Sequence, residues 1–166
     1  MSKWYVVQVA TGRETQVVRE LEKSGFRACA PQELLLIRKG GEWHKQTRLL
    51  FAGYAFVNCA WSAGNYHRVR ALESVIRFLG NEHDEPCELA KDEAEMIERL
   101  SLESEIMPSL VKFYDDGSFE VLRGILKQFN LSSIRFNRRA KKAIVRLTIG
   151  GTEQDYKFAI QETSDS

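Results

Sequence analysis

Apolar residues crowd most densely into Leu49-Leu50-Phe51-Ala52-Gly53-Tyr54-Ala55-Phe56-Val57. Side chains alternate between the faces of a strand, so Tyr54 and Phe56 share one side while Ala55 and Val57 share the other. Both faces are therefore apolar. One can line a core, and the other needs a helix above it or a partner protein.

Upstream, Trp4-Tyr5-Val6-Val7-Gln8-Val9 is β-branched and aromatic and stops at Thr11-Gly12, which predicts a strand. Val17, Val18 and Leu21, spaced among charges, predict a helix over 13–23. Thr11 is its expected N-cap, with Glu14 completing a capping box, and Ser24-Gly25 ends it. A short strand over 26–30 follows, and then a hairpin with arms at 34–38 and 43–48 around Lys39-Gly40-Gly41-Glu42. The pattern continues as a central strand over 54–59, a short helix over 65–72, a strand over 75–79 and a helix over 91–105. The last of these has an apolar side carrying Ala94, Ile97 and Leu100 or Leu102. This order implies an α+β sandwich over 1–106.

Beyond Pro108 the rhythm changes to short alternating runs at 110–114, 119–129, 134–136, 143–149 and 155–160, punctuated by Gly117, Gly124 and Gly150-Gly151. Such a segment implies a small all-β barrel over 107–166, with a frayed polar tail at 162–166.

Composition narrows the function. A hydrophobic fraction of 43% suffices for ordinary globular cores. No apolar run approaches the roughly 20 residues of a membrane helix, and no signal-peptide core follows Lys3, so a cytoplasmic protein without membrane association is expected. A monomer is also expected. Cys29, Cys59 and Cys87 form neither a CxxC pair nor a metal-ligand cluster, and read as reduced thiols. There is no nucleophile elbow, no phosphate-binding glycine loop and no dinucleotide fingerprint, so neither an enzyme nor a cofactor is expected.

The net charge of +1 hides a polarity along the chain. Residues 82–105 carry ten acids against Lys91 and Arg99, whereas 121–152 carry eight bases and no acid. The acidic run reads as a loop and the solvated face of a helix. The basic run concentrates at Arg135, Arg138, Arg139, Lys141 and Lys142, with Phe136 and Asn137 interleaved, and Lys127 lies upstream. A one-signed turn on a small barrel is a phosphate-binding footprint, and RNA is its expected target.

Three motifs resemble the NusG family of transcription elongation factors. They are Trp4-Tyr5-Val6-Val7-Gln8-Val9 followed by Thr11-Gly12-Arg13-Glu14; Leu50-Phe51-Ala52-Gly53-Tyr54-Ala55-Phe56-Val57; and Asp116-Gly117-Ser118-Phe119 with Gly124-Ile125-Leu126, which is similar to the KOW motif. The resemblance implies an α+β N-terminal NGN-type sandwich followed by a small all-β KOW, SH3-like barrel. Ala52 and Ser118 stand where the family usually has proline. That departure, with the basic barrel, resembles a specialised paralogue of the LoaP type, whose KOW domain binds structured nascent RNA.

The N-terminal half is also similar to RfaH. However, the places where RfaH reads DNA hold Ala10, Thr11, Glu20, Lys23, Leu72 and Glu73, mostly the wrong chemistry for phosphate or base contacts. Near Ile149 and Gly151, where the general factor meets a ribosomal protein, the arginine of that contact is missing.

The resemblance further implies that Leu50, Phe51, Tyr54 and Phe56 dock on the clamp helices of the largest RNA polymerase subunit. Asn65 and His67 would face the lobe of the second largest, with non-template DNA nearby. Lys127, Arg135, Arg138, Arg139, Lys141 and Lys142 are the expected RNA-binding residues, and no metal site is expected. The alternative is a ribosome- or RNA-associated KOW protein without polymerase affinity.

Overall fold

A computed structural model describes residues 2–80, 86–103 and 105–163, except for the side chain of Leu36. Glu82, His83, Asp84 and Glu85 of the acidic run lie outside the described residues. Two compact units emerge, and they are interleaved along the chain. The first comprises residues 1–31, 51–103 and 148–154; the second comprises 32–50, 104–147 and 155–166.

The first unit is built on a four-stranded sheet. Strands β1 (Ser2–Val9), β2 (Arg27–Cys29), β5 (Tyr54–Ala60) and β6 (Val75–Phe78) lie in the order β2-β5-β1-β6. Each neighbouring pair is antiparallel, with Tyr5 opposite Val57 and Ala28 opposite Val57 on the other side. Alternation then sorts the side chains. Tyr5, Val7, Val9, Ala55, Val57 and Cys59 enter one core cluster, together with Val17 and Leu21 of helix α1 (Glu14–Lys23) and Val69 of helix α2 (Ala63–Arg70).

The opposite face carries Trp4, Val6 and Phe56, all buried. On this side Trp4 donates its indole N–H to Glu98 of helix α3 (Lys91–Ser101) at 2.8 Å, and Arg27 binds the same carboxylate at 2.7 Å. The apolar residues of the sheet are therefore buried on both of its faces.

Several local expectations need correction. Arg13, not Thr11, occupies the N-cap of α1 and makes no side-chain cap bond; Glu14 is the first helical residue. The carboxylate of Glu14 turns inward instead of closing a capping box. Helix α3 stops at Ser101, and its buried side is Met96, Ile97 and Leu100, leaving Leu102 77% exposed. Helix α2 begins at Ala63, because Ser62 caps it by accepting the Asn65 N–H at 3.0 Å.

In the second unit, strands β3 (Gln32–Lys39) and β4 (Glu42–Leu49) form the expected hairpin, closed by Gly40 and Gly41 at φ 62° and 81°. Glu33, only 1% exposed, accepts hydrogen bonds from Arg48 and from the Ala159 N–H, the latter at 2.6 Å. Ile106 pairs with β3, donating to Gln32 and accepting from Leu34, each at 2.8 Å.

The barrel strands are β7 (Ser109–Phe113), β8 (Phe119–Arg123), β9 (Ile134–Asn137), β10 (Lys142–Ile149) and β11 (Thr152–Glu162), in the order β8-β7-β11-β10-β9. The run expected as one strand over 119–129 breaks at Gly124. That residue has φ 113°, and a 3-10 turn (Ile125–Gln128) follows it. A Cβ on Gly124 would lie 2.6 Å from the Ser109 Cα, so close packing as well as backbone angle requires glycine here. Glu162 is not frayed: it ends β11 and binds Arg138.

Candidate functional site

Strand β5 begins at a turn in which Gly53 has φ 86° and donates its N–H to Glu14 Oε2 at 2.8 Å. The residues expected to dock a partner differ sharply in accessibility. Phe56 is fully buried and Phe51 is 2% exposed, their rings meeting edge to face at 5.3 Å, and Leu50 is also buried. Tyr54 is half-buried. Of the expected set on this segment, Tyr54 is thus the residue that offers surface, and it does so with a phenol that is both apolar and hydrogen-bonding.

Helix α2 places Asn65 and His67 differently again. The Asn65 amide donates to the Ala60 carbonyl at 2.7 Å, which fixes it to the end of β5. His67 is exposed and its ring packs edge to face on Tyr66 at 5.4 Å. Around them, Tyr66 stacks on Phe78 at 5.3 Å, and Trp61, 47% exposed, meets Tyr5, Tyr66 and Phe78. Nothing in the sequence around Trp61 marks it, because it sits alone after a strand, with no periodic partner. Its aromatic neighbours are assembled only by the fold.

The barrel turn joins β9 to β10. Its geometry is set by Asn137, whose side chain accepts the Ala140 N–H at 3.1 Å, and by a Lys141 N–H to Arg138 carbonyl bond of 3.1 Å. Lys141 itself has φ 54°, a left-handed conformation unusual for a side chain without a turn-forming amide.

The basic run is less one-signed than its sequence. Strand β11 brings two acids to it: Asp155 binds Arg135 at 2.8 Å, and Glu162 binds Arg138 at 2.5 Å. The Arg138 guanidinium also lies 4.2 Å from the centre of the Phe113 ring. Arg139, Lys127 and Lys141 are exposed and make no ion pair among the described residues. Lys142 is half-buried, and its ammonium is held below the usual lysine value by that burial and then by the nearby charge of Arg48. Phe136, interleaved with the bases in the sequence, packs against Phe119 and Phe113 at 4.7 and 5.0 Å. Such packing leaves it half-buried and committed to the barrel.

Chemistry of other kinds finds little support in the described residues. No group of three or more His, Cys, Asp or Glu among them could hold a metal ion. Burial pushes the Cys29 thiol up to about 12, so it carries little thiolate at neutral pH. Among the described residues, no helix is long and apolar enough to cross a membrane.

Comparison with known proteins agrees with this architecture. A family described as NusG, transcription termination factor, matches residues 2–98, which include β1, β5, α2 and most of α3. The transcription termination/antitermination protein NusG of Vibrio parahaemolyticus is 28% identical over 178 aligned positions, covering 98% of this chain and 96% of the relative. NusG of Pseudomonas aeruginosa is 26% identical, covering 80% and 85%. Among solved structures, one described as domain interaction in Thermotoga maritima NusG superposes with a TM-score of 0.57 over 96% of this chain and 94% of that one, at 23% identity. The shared architecture is the NGN sandwich with a KOW barrel. With the family match spanning more than half its length, the chain belongs to the NusG family.

Proposed function

We propose that this protein is a transcription termination/antitermination factor that binds RNA polymerase through the first unit and RNA through the basic barrel turn. The observation that carries the reading is the family match over residues 2–98, because that span contains β5 and α2. On β5, Tyr54 supplies the accessible contact to the clamp helices of the largest subunit, with Phe51 and Phe56 packed edge to face within the same unit. Asn65 and His67 lie on the helix that would meet the lobe of the second largest.

No bond is made or broken in such a mechanism. A factor that holds the polymerase clamp closed acts through its differential affinity for closed and open states, and about 1–3 kcal/mol changes their ratio by about 5- to 150-fold. Pausing and termination, which need an open clamp, are then suppressed. RNA binding by Lys127, Arg139, Lys141 and Lys142 adds recruitment, because two weak sites on one chain gain from effective concentration. The departures from proline at Ala52 and Ser118 favour a specialised paralogue over the general factor.

Pull-down of core RNA polymerase by the full-length chain tests the central statement. Tyr54→Ala should weaken capture while leaving the melting temperature nearly unchanged. Capture that survives Tyr54→Ala at full strength would place the docking site elsewhere, and no capture of polymerase by the wild-type chain would favour the RNA-associated alternative.

A further inference from the structure

The second unit contains a groove of about 530 Å³ to which the hairpin and the barrel both contribute. Its floor is apolar, formed by Leu35, Ile37, Pro108 and Ile160, and Lys141 and Lys142 lie along it. Trp43 of β4 also lines it and is 66% exposed. Every one of these residues belongs to the second unit.

Three observations point to the occupant. First, an exposed tryptophan beside lysines joins a stacking plane to phosphate-binding charge, the pairing used for single-stranded nucleic acid. The Arg38 guanidinium, 5.9 Å from the Trp43 ring centre, extends that positive edge. Second, the acid lining the groove is already engaged, since Glu162 accepts the Arg138 Nε–H at 2.5 Å. Third, Lys141 is the one non-glycine among the described residues at positive φ. Strain of this kind gathers where a side chain must be presented in a set direction.

We infer that this groove holds one unpaired nucleotide of an RNA, its base stacked on Trp43 and its phosphate on Lys141 and Lys142. The size suits a base with its sugar, being within the range of small-ligand pockets. A protein helix would fit the apolar floor but would have to bury both lysines without partners. The inference rests on the proposed RNA binding and gives it a site and a preference: unpaired over duplex RNA. Phe136, the aromatic nearest the basic turn in sequence, is excluded by its packing against Phe113 and Phe119.

The test uses the full-length chain, a mixed-sequence single-stranded oligoribonucleotide of about twelve nucleotides, and its duplex. The single strand should bind more tightly than the duplex and quench tryptophan fluorescence. Trp43→Ala should weaken single-strand binding by about 5- to 150-fold, the usual worth of one stacked base. Trp43→Phe should keep most of the affinity but lose the quenching. Lys141→Gly should bind several-fold more weakly while melting no lower than the wild type, since glycine relieves the backbone strain.

RNA binding that falls in Arg139→Ala but is indifferent to Trp43→Ala would overturn the groove while leaving RNA recognition on the turn intact. Absence of binding to either RNA would overturn both statements. Self-association that depends on Trp43, with RNA affinity unchanged by its loss, would assign the groove to a second copy of the chain instead.

Discussion

The carboxylate of Glu14 accepts the N–H of Gly53 at 2.8 Å, tying the first turn of α1 to the glycine turn that launches β5. Glu14 is 2% exposed and its second oxygen has no hydrogen-bond partner, so this bond fixes the entry to the strand at the cost of one unsatisfied buried acceptor. Glu14→Ala should lower stability by about 1–3 kcal/mol in urea unfolding. Glu14→Gln, which keeps the acceptor for Gly53, should lose less; equal losses would mean that the charge rather than the bond matters.

Phe56→Ala should be a poor probe of partner binding. Its ring is fully buried against Phe51, and truncating a core phenylalanine costs about 3–5 kcal/mol. A drop in melting temperature is expected with any loss of polymerase capture, whereas Tyr54→Ala should separate the two. Circular dichroism melts run beside the pull-downs would reveal a different outcome.

Much of this organisation is legible in the sequence, for identifiable reasons. The alternating run from Trp4 to Val9 and the apolar crowding around Tyr54 announce β1 and β5, because period-2 patterns persist whatever packs on them. The cap of α1 was not legible. Thr11 and Glu14 have capping-box spacing, but Glu14 found a better donor 39 residues away at Gly53. The pairing of the basic turn was hidden similarly: its acids, Asp155 and Glu162, come from a strand that only the barrel places alongside. Trp43 read as an ordinary strand residue, since nothing local marks an aromatic as the edge of a groove.

That pairing lowers the expected salt dependence of RNA binding. Arg135 and Arg138 already have carboxylate partners, leaving Lys127, Arg139, Lys141 and Lys142 to neutralise phosphates. Log affinity should then fall with log salt at a slope of about −3 for single-stranded RNA. Arg139→Ala should reduce that slope by about 0.7, as measured by fluorescence anisotropy across a salt series.

Acid should weaken the first unit through Glu98. Hydrogen bonds from Arg27 and then Trp4 hold its carboxyl below the ordinary value of 4.5. A carboxyl depressed in the folded state stabilises above its unfolded value, and that contribution disappears as pH falls through the folded one. Glu98→Gln should therefore flatten the acid limb of the stability profile. Solvent screening keeps the effect small, because the side chain is 44% exposed.

Thiol reactivity should be split among the cysteines. Cys59 is buried and burial raises its pKa, Cys29 is raised to about 12, and Cys87 is exposed. A thiol-reactive dye should modify Cys87 first in the native protein, with Cys29 and Cys59 reacting only on unfolding. Rapid labelling of a second site, located by mass spectrometry, would contradict this order.

Glu33 gives the chain a property that its linear order conceals. Its carboxylate holds Arg48 at the end of the hairpin and the backbone of Ala159 in the last strand, partners between which the chain runs through all of 51–103 and most of the barrel. Any scissors placed at 106/107 strand this acid in a fragment that lacks one of its donors, leaving a buried charge half-satisfied. The halves of such a cut are therefore not miniature versions of the parent, and a fragment that fails to bind polymerase or RNA would report on Glu33 before it reported on function.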